Sequence, residues 1–406
     1  MVELLAPAGN RNKLNTAFHF GADAVYVGGL LFSLRAFADN FDNEGLADAI
    51  KYAHSIGKKV YVAVNIFPYN NDFVKIDEYF KFLESVNADA VIVSDLGVLK
   101  LASRYKLPVH ISTQANTTNG YSAKVYEELG ANRIVLAREV SLDDIKKIRD
   151  MVSIDLEIFV HGAMCISYSG RCLLSNYLSD RNSNKGECVQ ACRWEYLIKE
   201  KHRDDSYLTM VEDNRGTYIL NSKDLNMLSY IKNLVDAGAS SFKIEGRMKS
   251  GYYVGNVVNT YRRLIDSNYV VTDELSNELL KNSHRGYTTG FYLGEKDRQD
   301  RYSSQSEGTH DFVAEVIESR EGGILVEQRN RFRAGDTLEI LSNNQFFNKQ
   351  IFIDKMYDKY GNIIDDAKLV QQEIFIPTEF KLNRYDILRK KINVVDRNTP
   401  LTTLED

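Results

Sequence analysis

Residues 59–94 read KVYVAVNIFPYNNDFVKIDEYFKFLESVNADAVIVS, and this stretch decides the fold. Lys59–Phe67 is rich in β-branched and aromatic residues and reads as a strand. Val74–Val86 then repeats apolar residues at helical spacing, and Ala90–Ser94 is a second short apolar run. A buried strand, a helix and another buried strand make a βαβ unit, because parallel strands can be joined only by a crossover. The pattern continues on both sides. Upstream, strands over Val2–Ala6 and Ala24–Val27 are followed by helices over Asn10–Phe20 and Glu44–Ser55. Downstream come strands over Val109–Gln114, Arg133–Ala137 and Asp155–His161, with helices over Gly97–Tyr105, Ser122–Leu129 and Ser141–Met151. Ser141 with Asp144 three residues on has the form of a capping box, Asp replacing Glu. A helix over Met227–Ala237, a strand over Ser241–Glu245 and a helix over Tyr252–Asp266 complete the series. Eight strands in about 270 residues fit a closed (β/α)8 TIM-like barrel, whose typical size is ~250 residues. A doubly wound open sheet is the alternative, but Gly28-Gly29 is not a G-x-G-x-x-G fingerprint.

After Asp273 the pattern changes. Asp311–Ile317, Gly323–Glu327, Asp336–Leu341 and Gln350–Met356 are short β runs separated by Gly, Asn and Asp turns. They predict a small C-terminal antiparallel β-barrel over 305–395, behind a barrel domain over 1–300. The 406 residues carry 51 Lys and Arg against 56 Asp and Glu, a net charge of −5, so an RNA partner requires a local basic patch. The Arg329–Arg333 run is one candidate, an ordinary solvated face being the alternative. No apolar stretch reaches the ~18 residues of a membrane helix, and the N-terminus MVELLAPAGNRNKL lacks a signal-peptide core, so a cytoplasmic protein with no membrane partner is expected.

All four cysteines fall within the segment 157–196, spaced C-x6-C-x15-C-x3-C as Cys165, Cys172, Cys188 and Cys192. Disulfides need an oxidising compartment. Zinc sites favour two tight pairs, and only Cys188 and Cys192 approach one. A four-thiolate iron–sulfur cluster tolerates wider spacings. Spacing alone leaves these open.

The motif E-x-F-x-x-G-A-M-C-x6-C-x-L-S, then N-x-G-x-C-x3-C-R-W-E-Y, resembles the U32 family, historically labelled peptidases or collagenases. Within that family it is similar to the branch of prephenate-dependent tRNA uridine(34) hydroxylases. Asn221–Leu225, Lys243–Ser250 and Tyr287–Phe291 agree with that branch, and the resemblance covers nearly the whole chain. It implies a barrel, a [4Fe-4S] cluster on Cys165, Cys172, Cys188 and Cys192, and oxygen-independent 5-hydroxylation of wobble uridine 34 in tRNA with prephenate as co-substrate. The implied partners are the tRNA anticodon loop, prephenate and an electron donor. A U32-type peptidase and a ribosomal RNA hydroxylase of the same family are the alternatives. The peptidase draws little from the residues, since H-E-x-x-H, G-x-S-x-G and a P-loop are all missing.

Reactive groups of a (β/α)8 barrel gather at the carboxyl ends of its strands. That rule selects His161, Glu245 and Gln114 as candidate catalytic residues. Their plainer readings are a satisfied strand-end histidine, an ion pair of Glu245 with Arg247, and a loop hydrogen bonder. Prephenate carries two carboxylates, which Arg pairs through its planar fork, so Arg35, Arg138 and Arg247 are the positional candidates, with Asn65 beside them. An anticodon base must be unstacked onto aromatic planes. Tyr168 and Trp194, with Tyr177 and Tyr196, could supply them or shield the cysteines from water. The cysteines leave the seventh strand, so their sulfurs are expected to converge over the same mouth.

Overall fold

A computed structural model describes residues 2–33, 39–165, 167–172, 174–179, 181, 187–193, 212–213, 216–217, 222–294 and 307–392. Eight parallel strands close on themselves: β1 (Glu3–Pro7), β2 (Ala24–Gly28), β3 (Lys59–Val64), β4 (Ala90–Val93), β5 (Val109–Ile111), β6 (Arg133–Val135), β7 (Asp155–Ala163) and β8 (Ser241–Ile244). Each pairs with the next, and β8 pairs in parallel with both β7 and β1, which closes the barrel. The helices α1 (Arg11–His19), α2 (Asn43–Ser55), α3 (Phe73–Ser85), α4 (Leu96–Ala102), α5 (Gly120–Glu128), α6 (Leu142–Met151), α7 (Ile231–Asp236) and α8 (Gly251–Asp266) follow their strands, α7 preceding β8.

Strand ends are shorter than composition suggests. Lys59–Phe67 pairs only to Val64, because Asn65 and the residues after it turn over the barrel end. Val109–Gln114 stops at Ile111 and continues as a 3-10 turn over Thr113–Ala115. Helix starts lie at the same end and are capped by short polar side chains: Asn10, Asp42, Asp95, Asn119 and Ser250 each accept a first-turn N–H. The Ser141–Asp144 capping box forms in both directions.

Two buried zones result. The outer faces of the strands pack against the helices in one large apolar core. Inside the barrel, Leu5, Ala24, Tyr26, Tyr61, Ala90 and Ile92 form a small apolar cluster. Beside it runs a chain of charges: Arg133 pairs with Glu3 and with Glu157 (Nη1–Oε2 3.0 Å), and Glu157 receives Lys243 (Nζ–Oε1 2.7 Å). Glu157 is fully buried. Burial alone would raise its pKa, but Lys243 and Arg133 outweigh that and hold it below the usual carboxylate range.

The C-terminal domain is an antiparallel sheet of eight strands with its own core, curled as a half-barrel, from β9 (His310–Arg320) to the last strand at Ile387–Lys391. It is keyed to the barrel through buried polar contacts. Arg389 and Glu278, both fully buried, form a bidentate pair (Nη2–Oε2 3.0 Å), and Lys281 reaches Glu339 at 2.6 Å. His19 meets Asp386 at 2.8 Å, and Asn15 donates to the Tyr385 hydroxyl at 2.8 Å. Among the described residues no helix is long and apolar enough to cross a membrane.

Candidate active site at the barrel mouth

A cleft with about 560 Å³ of empty space, part of it open to solvent, lies over the carboxyl ends of the strands. Tyr26 of β2, Ala63 and Asn65 of β3, Ile92 of β4, and Ser112, Thr113 and Gln114 beyond β5 line one side. Arg138 beyond β6, Phe159 of β7, and Lys243, Glu245 and Arg247 of β8 and its loop line the other. Seven strands therefore contribute, as expected where inward-facing residues end and loops begin.

The polar groups are positioned by their neighbours. Arg138 donates to Glu245 (Nη2–Oε2 2.6 Å), and its guanidinium lies 4.0 Å from the Phe159 ring centroid. Arg247, almost wholly buried, donates to the Ser33 hydroxyl at 2.6 Å. Its guanidinium lies against Gly28, where a Cβ would fall 2.5 Å from Nη1, so glycine there makes room for the cation. Lys243 points its ammonium between Tyr26 (4.5 Å) and Phe159 (5.6 Å) while bound to Glu157. Opposite these cations, Asn65 donates to Ser112 Oγ at 3.2 Å, and that oxygen also accepts the Gln114 N–H at 3.3 Å. Asn65, Gln114, Arg138, Glu245 and Arg247 are thus brought together. Among the described contacts of the cleft, Glu245 stands in hydrogen-bond contact with Arg138.

His161 stands elsewhere. β7 carries an extra residue against β8: Lys243 pairs with Phe159, but Ile244 pairs with His161. This bulge reverses the facing of the strand end, so Phe159 points into the barrel and His161 outward. The imidazole packs among Tyr261 (5.6 Å), Tyr287 (5.5 Å) and Tyr253 (6.1 Å), with Nδ1 3.4 Å from the Tyr261 hydroxyl. Burial pushes its pKa down to about 3, so it is a neutral structural imidazole away from the cleft.

The cysteine segment leaves β7 through Gly162, where φ is +104° and a Cβ would collide with the Glu245 carbonyl. It then rests on the barrel rim. Glu139 accepts the Ser169 N–H at 3.0 Å, Thr113 donates to the Ser169 hydroxyl at 3.4 Å, and Gly170 (φ +75°) passes so near Gln114 that a Cβ would lie 2.3 Å from its carbonyl oxygen. Tyr168 is 65% exposed beside these contacts. None of the four cysteines forms a disulfide; Cys165 is exposed and the others half-buried. Four thiols on one segment supply the donor chemistry of a four-thiolate group. Among the described residues, no group of three His, Cys, Asp or Glu side chains is close enough to hold a metal. Arg35, Trp194 and Tyr196 lie outside the described residues, and Tyr177 falls in the short helix Leu174–Ser179.

The Arg-rich run is matched by acids of its own domain. Arg331 and Arg333 share Asp366, and Arg329 pairs with Glu327 at 2.9 Å. Each of these arginines thus has an acidic partner within its own domain.

The model of Peptidase family U32 matches residues 9–302, and that of the Peptidase family U32 C-terminal domain matches 308–389. The chain belongs to the U32 family. This U32 protein is 36% identical over 405 residues to "tRNA hydroxylation protein P1" of Bacillus subtilis, covering 96% of this chain and 94% of the relative. It is 37% identical over 392 residues to "tRNA hydroxylation protein P" of Escherichia coli, covering 84% and 86%. It is 43% identical over 318 residues to an "uncharacterized protease" of Methanocaldococcus jannaschii, covering 76% and 77%.

Lys243, Tyr26 and Phe159 are among the lining residues that a search of strand ends misses, because they lie inside the strands. Their signal is period-two alternation: Ser241, Lys243 and Glu245 share one face of β8 and its extension.

Proposed function

We propose that this U32 protein hydroxylates tRNA at C5 of wobble uridine 34, with prephenate as co-substrate and without molecular oxygen as the hydroxyl source. The names of the full-length relatives support the substrate and reaction class. The observation that carries the reading is the described lining of the mouth cleft, where Arg138, Lys243 and Arg247 face one carboxylate among the described residues, Glu245. A small dicarboxylate suits such a cleft, because Arg forks pair carboxylates through two N–H groups. Tyr26 and Phe159 offer apolar faces to its ring. Asn65, Ser112 and Gln114, on the opposite wall, supply hydrogen-bonding groups for a flipped base, and exposed Tyr168 at the rim offers a stacking plane worth ~1–3 kcal/mol. Glu245 holds Arg138 against Phe159 and is the titratable acid of the cleft, so it is the group placed to take or return a proton.

The assignment of Cys165, Cys172, Cys188 and Cys192 as ligands of a [4Fe-4S] cluster, with an electron donor as partner, rests on the donor set alone. Iron and acid-labile sulfide analysis of anaerobically purified protein tests it, with Cys165→Ser expected to lose both. A hydrolytic reading gains nothing from the described lining of the cleft, which contains neither His nor Cys.

The deciding experiment is nucleoside mass spectrometry on a bacterial host stripped of its own hydroxylases. Expression of the wild type should restore 5-hydroxyuridine in bulk tRNA, and a block in prephenate synthesis should abolish it. Arg138→Ala should lower the product by roughly tenfold or more, the loss of a charge-assisted pair. No hydroxyuridine in tRNA would overturn the reading, and hydroxylated nucleoside in ribosomal RNA alone would move the substrate there.

A further inference from the structure

Lys243 is a deeply buried cation of the cleft, 5% exposed, and it sits on a barrel strand and not on a loop. An ammonium has three N–H donors. One goes to Glu157 Oε1 at 2.7 Å, and it is the one hydrogen bond that the described residues give this side chain. The remaining two sit at the cleft wall between the faces of Tyr26 and Phe159. Glu157 in turn is saturated: its other oxygen accepts Arg133 at 3.0 Å and the Ser241 hydroxyl at 3.4 Å, and Arg133 is bound by Glu3. The charge chain therefore fixes Lys243 from below while leaving it able to donate upward. A lysine needed only to neutralise Glu157 would not have to border an open cleft. Burial makes a charge-assisted contact there stronger than the same contact at the surface.

We propose that Lys243 binds one carboxylate of the small dicarboxylate co-substrate, with Arg138 or Arg247 taking the other and the ring lying on Tyr26 and Phe159. This rests on the reading of the cleft as the prephenate site. Glu157, Arg133 and Glu3 act as positioning residues for Lys243 and touch no substrate.

Calorimetric titration of the full-length protein tests this with two probes, prephenate and isophthalate, the second being a ring dicarboxylate outside the proposed reaction. Wild type should bind both. Lys243→Met should weaken both by roughly tenfold or more, the loss of a charged hydrogen bond, while Lys243→Arg should stay within about threefold. A purely structural lysine would instead lower the thermal midpoint of Lys243→Met and leave affinity unchanged, which overturns the proposal. Should Lys243→Met fail to fold, reductive methylation of Lys243 in wild type gives the readout: saturating ligand should slow it several-fold, and equal rates would overturn the proposal. Binding of isophthalate through Lys243 without any binding of prephenate would sustain Lys243 and sink the prephenate reading. Binding of neither probe to wild type would overturn both.

Discussion

Replacing His161 with Gln is expected to make the fold less sensitive to acid. The imidazole is 1% exposed, and burial holds its pKa at about 3. In the unfolded chain it titrates near its ordinary value of ~6.5. Because the folded-state pKa is the depressed one, the unfolded state binds the extra proton at every pH between those values. Stability is therefore lost as pH falls through that window, and above it the histidine has no effect. One such group removes about 1.4 kcal/mol between pH ~7.5 and pH ~5.5. His110, also buried, is held well below its ordinary value by burial first and by Arg133 second, so it acts in the same direction. The His161 contribution alone is a sizeable share of the ~5–15 kcal/mol that keeps a typical protein folded. Urea unfolding followed by circular dichroism at the two pH values should show the acid loss in His161→Gln smaller than in wild type by about 1.4 kcal/mol. Comparing the loss within each protein removes the packing cost of the substitution itself. An equal loss in both would refute the placement of His161 as a buried neutral group, and with it the bulge that turns it from the cleft.

Two further outcomes follow from the geometry. Gly170→Ala adds a Cβ 2.3 Å from the Gln114 carbonyl at a φ of +75°, a conformation that costs an L side chain ~1–2 kcal/mol before the clash. The cysteine segment must lift from the rim, so 5-hydroxyuridine in bulk tRNA should fall sharply by mass spectrometry, while the thermal midpoint of the barrel moves little; unaltered product would show that the segment need not rest there. Glu278→Ala leaves Arg389 buried without its bidentate partner, which should cost roughly 3–5 kcal/mol in urea unfolding. Glu278→Leu combined with Arg389→Met should recover most of that, and equal midpoints for Glu278→Ala and wild type would disprove the load placed on this interdomain pair.

Eight strands were legible because each is a short β-branched apolar run between helical repeats, and a strand buried on both faces has no other composition available. The Ser141 capping box was equally local. Non-local pairing was not legible. Asp224–Asn226 lies antiparallel on the end of β7, and Tyr287–Thr288 pairs beside it, although both stretches are too short and polar to read as strands. The helix Asp273–Leu279, which supplies Glu278, went unread for a similar reason, its seven residues falling where the repeating pattern ends.

At the site, Asn65, Gln114, Arg138, Glu245 and Arg247 could be named from the strand-end rule, because residue order along a strand determines which end of a barrel it reaches. Which way a side chain faces depends on register with the neighbouring strand. One unpaired residue in β7 sends His161 into the tyrosine cage and leaves Phe159 between Arg138 and Lys243. Charge partners were likewise a matter of distance: Glu245 meets Arg138, 107 positions away, and Lys243 meets Glu157, 86 away. Sequence alone determined the barrel, its mouth and the family, since these follow from local pattern and motif. Tertiary structure decided which charges meet and which residues face the cleft, because pairing register and through-space contact are set only when the chain closes.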